Sequence, residues 1–128
     1  MARFPAQTFQ PNYDGDFVIT EANGTMSREQ IVLLRGARIE AGTVLGKITA
    51  SGLWTPHDPA AADGSQNAAG VLRDMRPALT TADTRRGVIM ARNCDLNGKK
   101  LIWKAGITVN QRKAAEAQLA ATAVLVRY

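Results

Sequence analysis

The sequence predicts a small, mainly β domain with one short C-terminal helix and an extended N-terminal arm. Three observations predict it. Short apolar runs recur from Phe17 to Trp103, separated by glycine, asparagine and proline. A single stretch, near the C-terminus, joins a helix cap to a sustained run of strong helix formers. Pro5 and Pro11 fall within the first 14 residues, where they disfavour helix and push their predecessors toward extended backbone.

The arm is Met1–Asp14, MARFPAQTFQPNYD, and the β-rich domain is Gly15–Tyr128. Phe4, Phe9 and Tyr13 set the arm apart, because a disordered tail is normally poor in aromatics. The spacing of Phe4 from Phe9 fits neither one strand face nor one helix face. The composition favours an arm that docks on a partner over one that packs on its own domain. In that reading Phe4, Phe9 and Tyr13 are apolar anchors. Pro5 and Pro11 restrict the unbound arm and lower the cost of ordering it.

The domain opens with a short strand at Phe17–Thr20, followed by a turn at Asn23-Gly24. Glu29–Gly36 is a second strand, too apolar to alternate cleanly and therefore expected to be covered on both faces. Ala41-Gly42 suits a tight turn into a third strand, Thr43–Thr49, carrying Val44 and Ile48. Leu53–Ala69 reads as a long loop punctuated by Pro56, Pro59 and Asp63-Gly64, and long loops often bear interactions. Gly70–Met75 is a strand, Arg85–Asn97 holds a fifth, and Asn97-Gly98 is a further hairpin-type turn. Thr108 with Gln111 fits a capping box, with Asn110 as a rival cap, ahead of an Ala-rich helix. Ala123–Tyr128 closes the chain as a strand.

A chain of 128 residues fits one domain with a single modest core. The hydrophobic fraction of 45% overstates that core, since 21 residues are Ala and Leu, Ile, Val and Phe together number 28. A thin core predicts a monomer of marginal stability that gains by assembling. The net charge of +5, from 16 Lys and Arg against 11 Asp and Glu, permits an acidic partner. The cations are scattered, the densest being the pairs Arg85-Arg86, Lys99-Lys100 and Arg112-Lys113, and they read as a solvated surface. No apolar leader follows Met1 and no run suits a membrane span, so a soluble protein of a reducing compartment is expected.

Chemical motifs are sparse. Cys94 is the one cysteine and reads as a small buried or half-buried thiol. GTVLGK at Gly42–Lys47 has one residue too few between its glycines for a phosphate loop, and Ile48 stands where Ser or Thr is needed. Asn12, Asp14 and Asp16 alternate like a calcium loop, but Phe17 and Asn23 occupy its glycine and glutamate positions. His57 is the one histidine; beside Asp58 and between prolines it reads as a solvated loop residue without a nucleophile. No enzyme activity, metal or cofactor is expected.

Three segments carry a resemblance. ARIEAGTVLGKI at Ala37–Ile48, DGSQNAAGVL at Asp63–Leu72 and LIWKAGIT at Leu101–Thr108 occur in that order, ahead of the Ala-rich helix and the LVRY strand. Together they resemble the lambda-type bacteriophage head decoration protein family, over roughly Gly15–Tyr128. The stretch before AGTVLG is longer here than in the lambda-type pattern. The resemblance implies a β-clip-like domain forming homotrimers at three-fold positions outside an expanded head. It implies an arm that reaches the major capsid protein, which assigns capsid binding to Phe4, Pro5, Phe9, Pro11 and Tyr13. It further implies reinforcement of the shell against packaged DNA, synthesis in the host cytoplasm, and no direct contact with nucleic acid or membrane. The rival readings are a nucleic-acid-binding small β-barrel, which would need a basic stripe with stacking aromatics, and a β-clip domain of a sugar-acting enzyme, which would need a cleft of titratable groups.

Overall fold

The computed structural model describes residues 15–24 and 26–128, with the backbone alone for 80–84. In chain order its strands are β1 (Val18–Glu21), β2 (Arg28–Gly36), β3 (Val44–Lys47), β4 (Trp54–Pro56), β5 (Ala68–Leu72), β6 (Leu79–Met90) and β7 (Cys94–Asn97). A short 3-10 turn at Gly98–Lys100, the helix α1 (Val109–Ala120) and the strand β8 (Val124–Arg127) complete the fold. The mainly β prediction with a single C-terminal helix holds.

Five strands close a barrel in the order β2-β4-β3-β5-β6, and β1-β7-β8 form a separate three-stranded sheet. β2 and β6 pair antiparallel from Arg28↔Met90 to Leu34↔Thr84. The barrel closes where β4 pairs antiparallel with β3 and touches β2 in parallel register at Leu33↔Trp54. That strand lies inside the stretch expected to be loop. Its pairing is long-range, and Pro56 sits at its end, where a missing N–H is tolerated.

Other expectations change in detail. Arg85–Asn97 is two strands: β6 ends at Met90, Asn93 takes a left-handed conformation (φ 52°), and β7 starts in the other sheet. Asn23-Gly24 is a turn, with Gly24 at φ 65°, but it links the two sheets instead of closing a hairpin. Asn97-Gly98 is not a hairpin either, since the Asn97 side chain caps the 3-10 turn by accepting from Lys99 N. Ile48 lies beyond the end of β3.

Helix α1 starts as its sequence requires. Thr108 Oγ1 accepts from Gln111 N at 3.1 Å, and Gln111 Oε1 accepts from Thr108 N at 3.0 Å, so Thr108 and not Asn110 is the cap. The helix buries only Ala115 and Leu119, which explains its polar remainder. Ala123, at φ 62°, turns the chain so that β8 lies parallel to β7.

The core is two clusters rather than one. One fills the barrel with Ile31, Leu33, Ile39, Leu45, Trp54, Leu72, Ile89 and Ala91. The second lies between the barrel wall, the three-stranded sheet and α1, and is built on Phe17, Val44, Val71, Met90, Leu96 and Leu119. Alternation along strands makes the division. Val44 and Leu45, Val71 and Leu72, and Met90 and Ile89 send successive side chains to opposite clusters. Double coverage therefore falls on β3, β5 and the end of β6. It does not fall on β2, whose Ile31 and Leu33 are buried while Val32 is exposed. A β2 face open to solvent is what antiparallel ribbons commonly keep.

Candidate functional site

The expected binding residues Phe4, Pro5, Phe9, Pro11 and Tyr13 lie outside the described residues, as do Asn12 and Asp14 of the calcium-like run. The described chain begins at Gly15, the residue at which the expected arm would be rooted. Gly15 N donates to Arg73 O at 2.9 Å, and Gly15 takes φ 72°, which favours glycine. A Cβ there would also stand 3.1 Å from the Arg73 guanidinium. Asp16, next along, pairs with Lys100 Nζ at 2.6 Å. The root is thus tied to both layers: to Arg73 just after β5 and to the 3-10 turn after β7.

Charge clusters around this root. Arg73 binds Asp74 at 2.6 Å, and Arg28 binds Glu21 through two contacts of 3.0 Å. The Arg28 hydrogen bond holds the Glu21 carboxyl below its ordinary range, and Arg73 adds to the effect. Exposed apolar side chains lie on several faces, among them Ile19, Met26, Val32, Ile102, Val109 and Leu125.

The segment Pro56–Asn67 is a compact, hydrogen-bonded loop. Asp58 Oδ1 accepts from Ala60 N, Asp63 Oδ1 accepts from Ser65 N and Oγ, and Thr49 N donates to Asp63 O. Gly46 makes its close packing on β3 possible, because a Cβ there would meet Ser65 O at 2.5 Å. At the other side Gln118 of α1 bridges Asn67 Oδ1 and Ala68 N.

This packing overturns the solvated reading of His57, which is only 3% exposed. Its Nε2 lies 3.0 Å from Gln66 O, which can only accept, so the proton sits on Nε2. Nδ1 is buried with no partner. Burial pushes the imidazole below its ordinary range, opposed by the Gln66 carbonyl and Asp58. The loop does not assemble a nucleophile with a base: Ser65 Oγ donates to Asp63 at 2.6 Å, while His57 faces Gln66. Among the described residues no group of three His, Cys, Asp or Glu side chains is placed to hold a metal. No helix among them is long and apolar enough to cross a membrane. Cys94 is a free, buried thiol, raised to about 11 chiefly by burial.

One polar residue was missed by sequence reading. Arg85 belongs to a cation pair expected at the surface, yet it is only 8% exposed. Its guanidinium donates to Leu34 O (3.2 and 2.8 Å), Ala37 O (2.8 Å) and Pro77 O (2.9 Å). Period-two alternation would have found it, since Arg85, Gly87 and Ile89 share the inward face of β6.

The comparison with protein families decides what this scaffold is. The family described as bacteriophage lambda head decoration protein D matches residues 7–124. The chain belongs to that family. The match covers both layers of the fold and takes in Phe9, Pro11 and Tyr13 of the arm, while Phe4 and Pro5 precede it. A head decoration family is structural, a component of the phage capsid. A comparison with curated proteins found no match.

Proposed function

We propose that the chain binds the exterior of an expanded phage head as a homotrimer, through the major capsid protein, and stabilises the shell against internal DNA pressure. The family match over residues 7–124 carries this reading. The β-clip assignment of the barrel and sheet rests on the same match. The arm, Met1–Asp14, is the clamp, with Phe4, Phe9 and Tyr13 as anchors and Pro5 and Pro11 as stiffeners. An extended arm that adds a strand to a partner gains backbone hydrogen bonds, and its side chains supply specificity. One arm binds weakly once its ordering cost is met. Three arms on one trimer make later engagements intramolecular and raise avidity by about 10²–10⁴-fold. The double tie at Gly15 and Asp16 transmits tension on the arm into both layers of the domain.

The nucleic-acid reading gains no support from the rings. Among the described residues Phe17 and Trp54 are core, Trp103 is half-buried against the second cluster, and Tyr128, though exposed, is engaged by Glu116 and lies 5.8 Å from the Arg112 guanidinium carbon. The test is co-sedimentation with undecorated, expanded heads. A chain lacking residues 2–14 should fold with an unchanged far-UV spectrum and fail to decorate. Saturation at the full-length affinity would remove the arm from the mechanism. Single copies away from three-fold positions in a particle map would refute the trimer.

A further inference from the structure

A cleft of about 560 Å³ opens between the 38–43 turn, the Pro56–Asn67 loop and the 102–104 segment. Its size is in the range of about 300–1,000 Å³ typical of ligand sites. The chain carries +5 overall, yet the charged residues lining this cleft are Glu40, Asp58 and Asp63 against Arg38 and Lys104. Two of the buried side-chain atoms lacking any partner belong to lining residues, Glu40 Oε2 and His57 Nδ1. Both are acceptors: one a carboxylate oxygen, the other the bare nitrogen of an imidazole whose proton is on Nε2. The buried polar atoms of lining residues that lack a partner are therefore acceptors.

Apolar surface adjoins these groups. Ile102 is exposed and Trp103 half-buried, and both line the same cleft. We infer that the cleft receives an arginine side chain of a foreign protein partner, with its guanidinium on Glu40 and Asp58 and its stem over Ile102 and Trp103. A guanidinium brings five N–H donors, no acceptor, and a planar fork matched to carboxylates. Its aliphatic stem packs on apolar surface and its plane stacks on an indole.

The residents can yield. Arg38 holds only Glu40 Oε1, at 2.7 Å, and its side chain is 54% exposed. Lys104 reaches Asp58 at 3.4 Å, and its side chain is 49% exposed. Either can swing into water while the incoming group takes its carboxylate. The Glu40 side chain is 25% exposed, so part of it already faces solvent. His57 Nδ1 lies in the wall as a reporter of any donor that enters.

The inference stands on the cleft and is independent of the arm, so it is tested without heads. The ¹⁵N-labelled full-length chain is titrated with N-acetyl-arginine-amide and, separately, with N-acetyl-citrulline-amide, its neutral isostere. The expected result is saturable shifts at Glu40, Asp58, Trp103 and the His57 ring, with the citrulline compound at least tenfold weaker. Glu40→Gln and Asp58→Asn should each weaken the arginine compound about tenfold while leaving the remaining spectrum in place. Equal response to both compounds, parent affinity in Glu40→Gln, or shifts scattered away from the cleft would overturn the assignment. Concentration-dependent self-association lost in Glu40→Gln would give the cleft to a second copy and overturn it equally.

Discussion

Replacing Arg85 by Met should destabilise the domain by about 3 kcal/mol, taking about 1 kcal/mol for each carbonyl stranded without a donor. Three carbonyls depend on that guanidinium: Leu34 at the end of β2, Ala37 in the turn beyond it, and Pro77 ahead of β6. Larger per-bond figures, about 1.5–3 kcal/mol for charged donors, are offset here because Met also removes a desolvated charge with no carboxylate paired to it among the described residues. Burial lowers the Arg85 pKa, which marks the same cost. Met restores the aliphatic volume, so little cavity term is added. For a domain of this size about 4 °C is lost per kcal/mol, so the midpoint should fall by about 12 °C. The assay is urea unfolding at pH 7 with a thermal scan beside it. Arg85→Lys keeps the charge but not the fork and should fall in between. An Arg85→Met protein within about 0.5 kcal/mol of the parent, at unchanged m, would refute the reasoning.

Further outcomes follow from other sites. Because burial depresses the His57 pKa, its contribution is complete above the unfolded value near 6.5 and is lost as pH falls below it. Stability should therefore decline from pH 7 toward pH 5, and His57→Gln should flatten that slope; a parallel slope in the variant would contradict it. The Cys94 thiol, raised to about 11, should resist a disulfide reagent at pH 8 in the native protein and react at once in urea. Thr108→Ala removes the hydroxyl that accepts from Gln111 N, while the backbone bond from residue 108 N to Gln111 Oε1 remains, and should cost about 1 kcal/mol in urea unfolding. Loss of all far-UV helical signal in that variant would mean the helix has no support from Leu119 and Ala115.

How much of this was legible in the sequence depended on the range of the interactions. The Thr108–Gln111 box is local, four residues long, and reads directly. So do the turn at Gly42, the closing strand, and Cys94 as a core thiol. β4 was hidden because nothing near Trp54 declares that Leu33 and Lys47 will pair with it. His57 looked solvated because the polar residues around it suggested a loose loop. Their hydrogen bonds to one another, and the approach that Gly46 permits, exist only once the loop is folded. The apolar run Ile31–Leu34 suggested double coverage, but only the fold shows that Val32 faces outward while Val44, Val71 and Met90 take the second layer. The decoration family was legible from the order of three weak motifs. The arm anchors stand on composition and on that family.

The wall shared by the two clusters has a thermodynamic consequence. Val44, Val71 and Met90 are buried only while the helix and the three-stranded sheet cover them, and Leu45, Leu72 and Ile89 back directly onto the barrel interior. Neither layer can open without stripping the other's support, so the domain should unfold as a single cooperative unit. Amide hydrogens of β3 and β5 should then exchange at one common free energy, that of global unfolding. A truncation before Thr108 would leave a bare apolar flank on the barrel rather than a smaller stable protein. A shell component built this way yields to load as a whole or not at all.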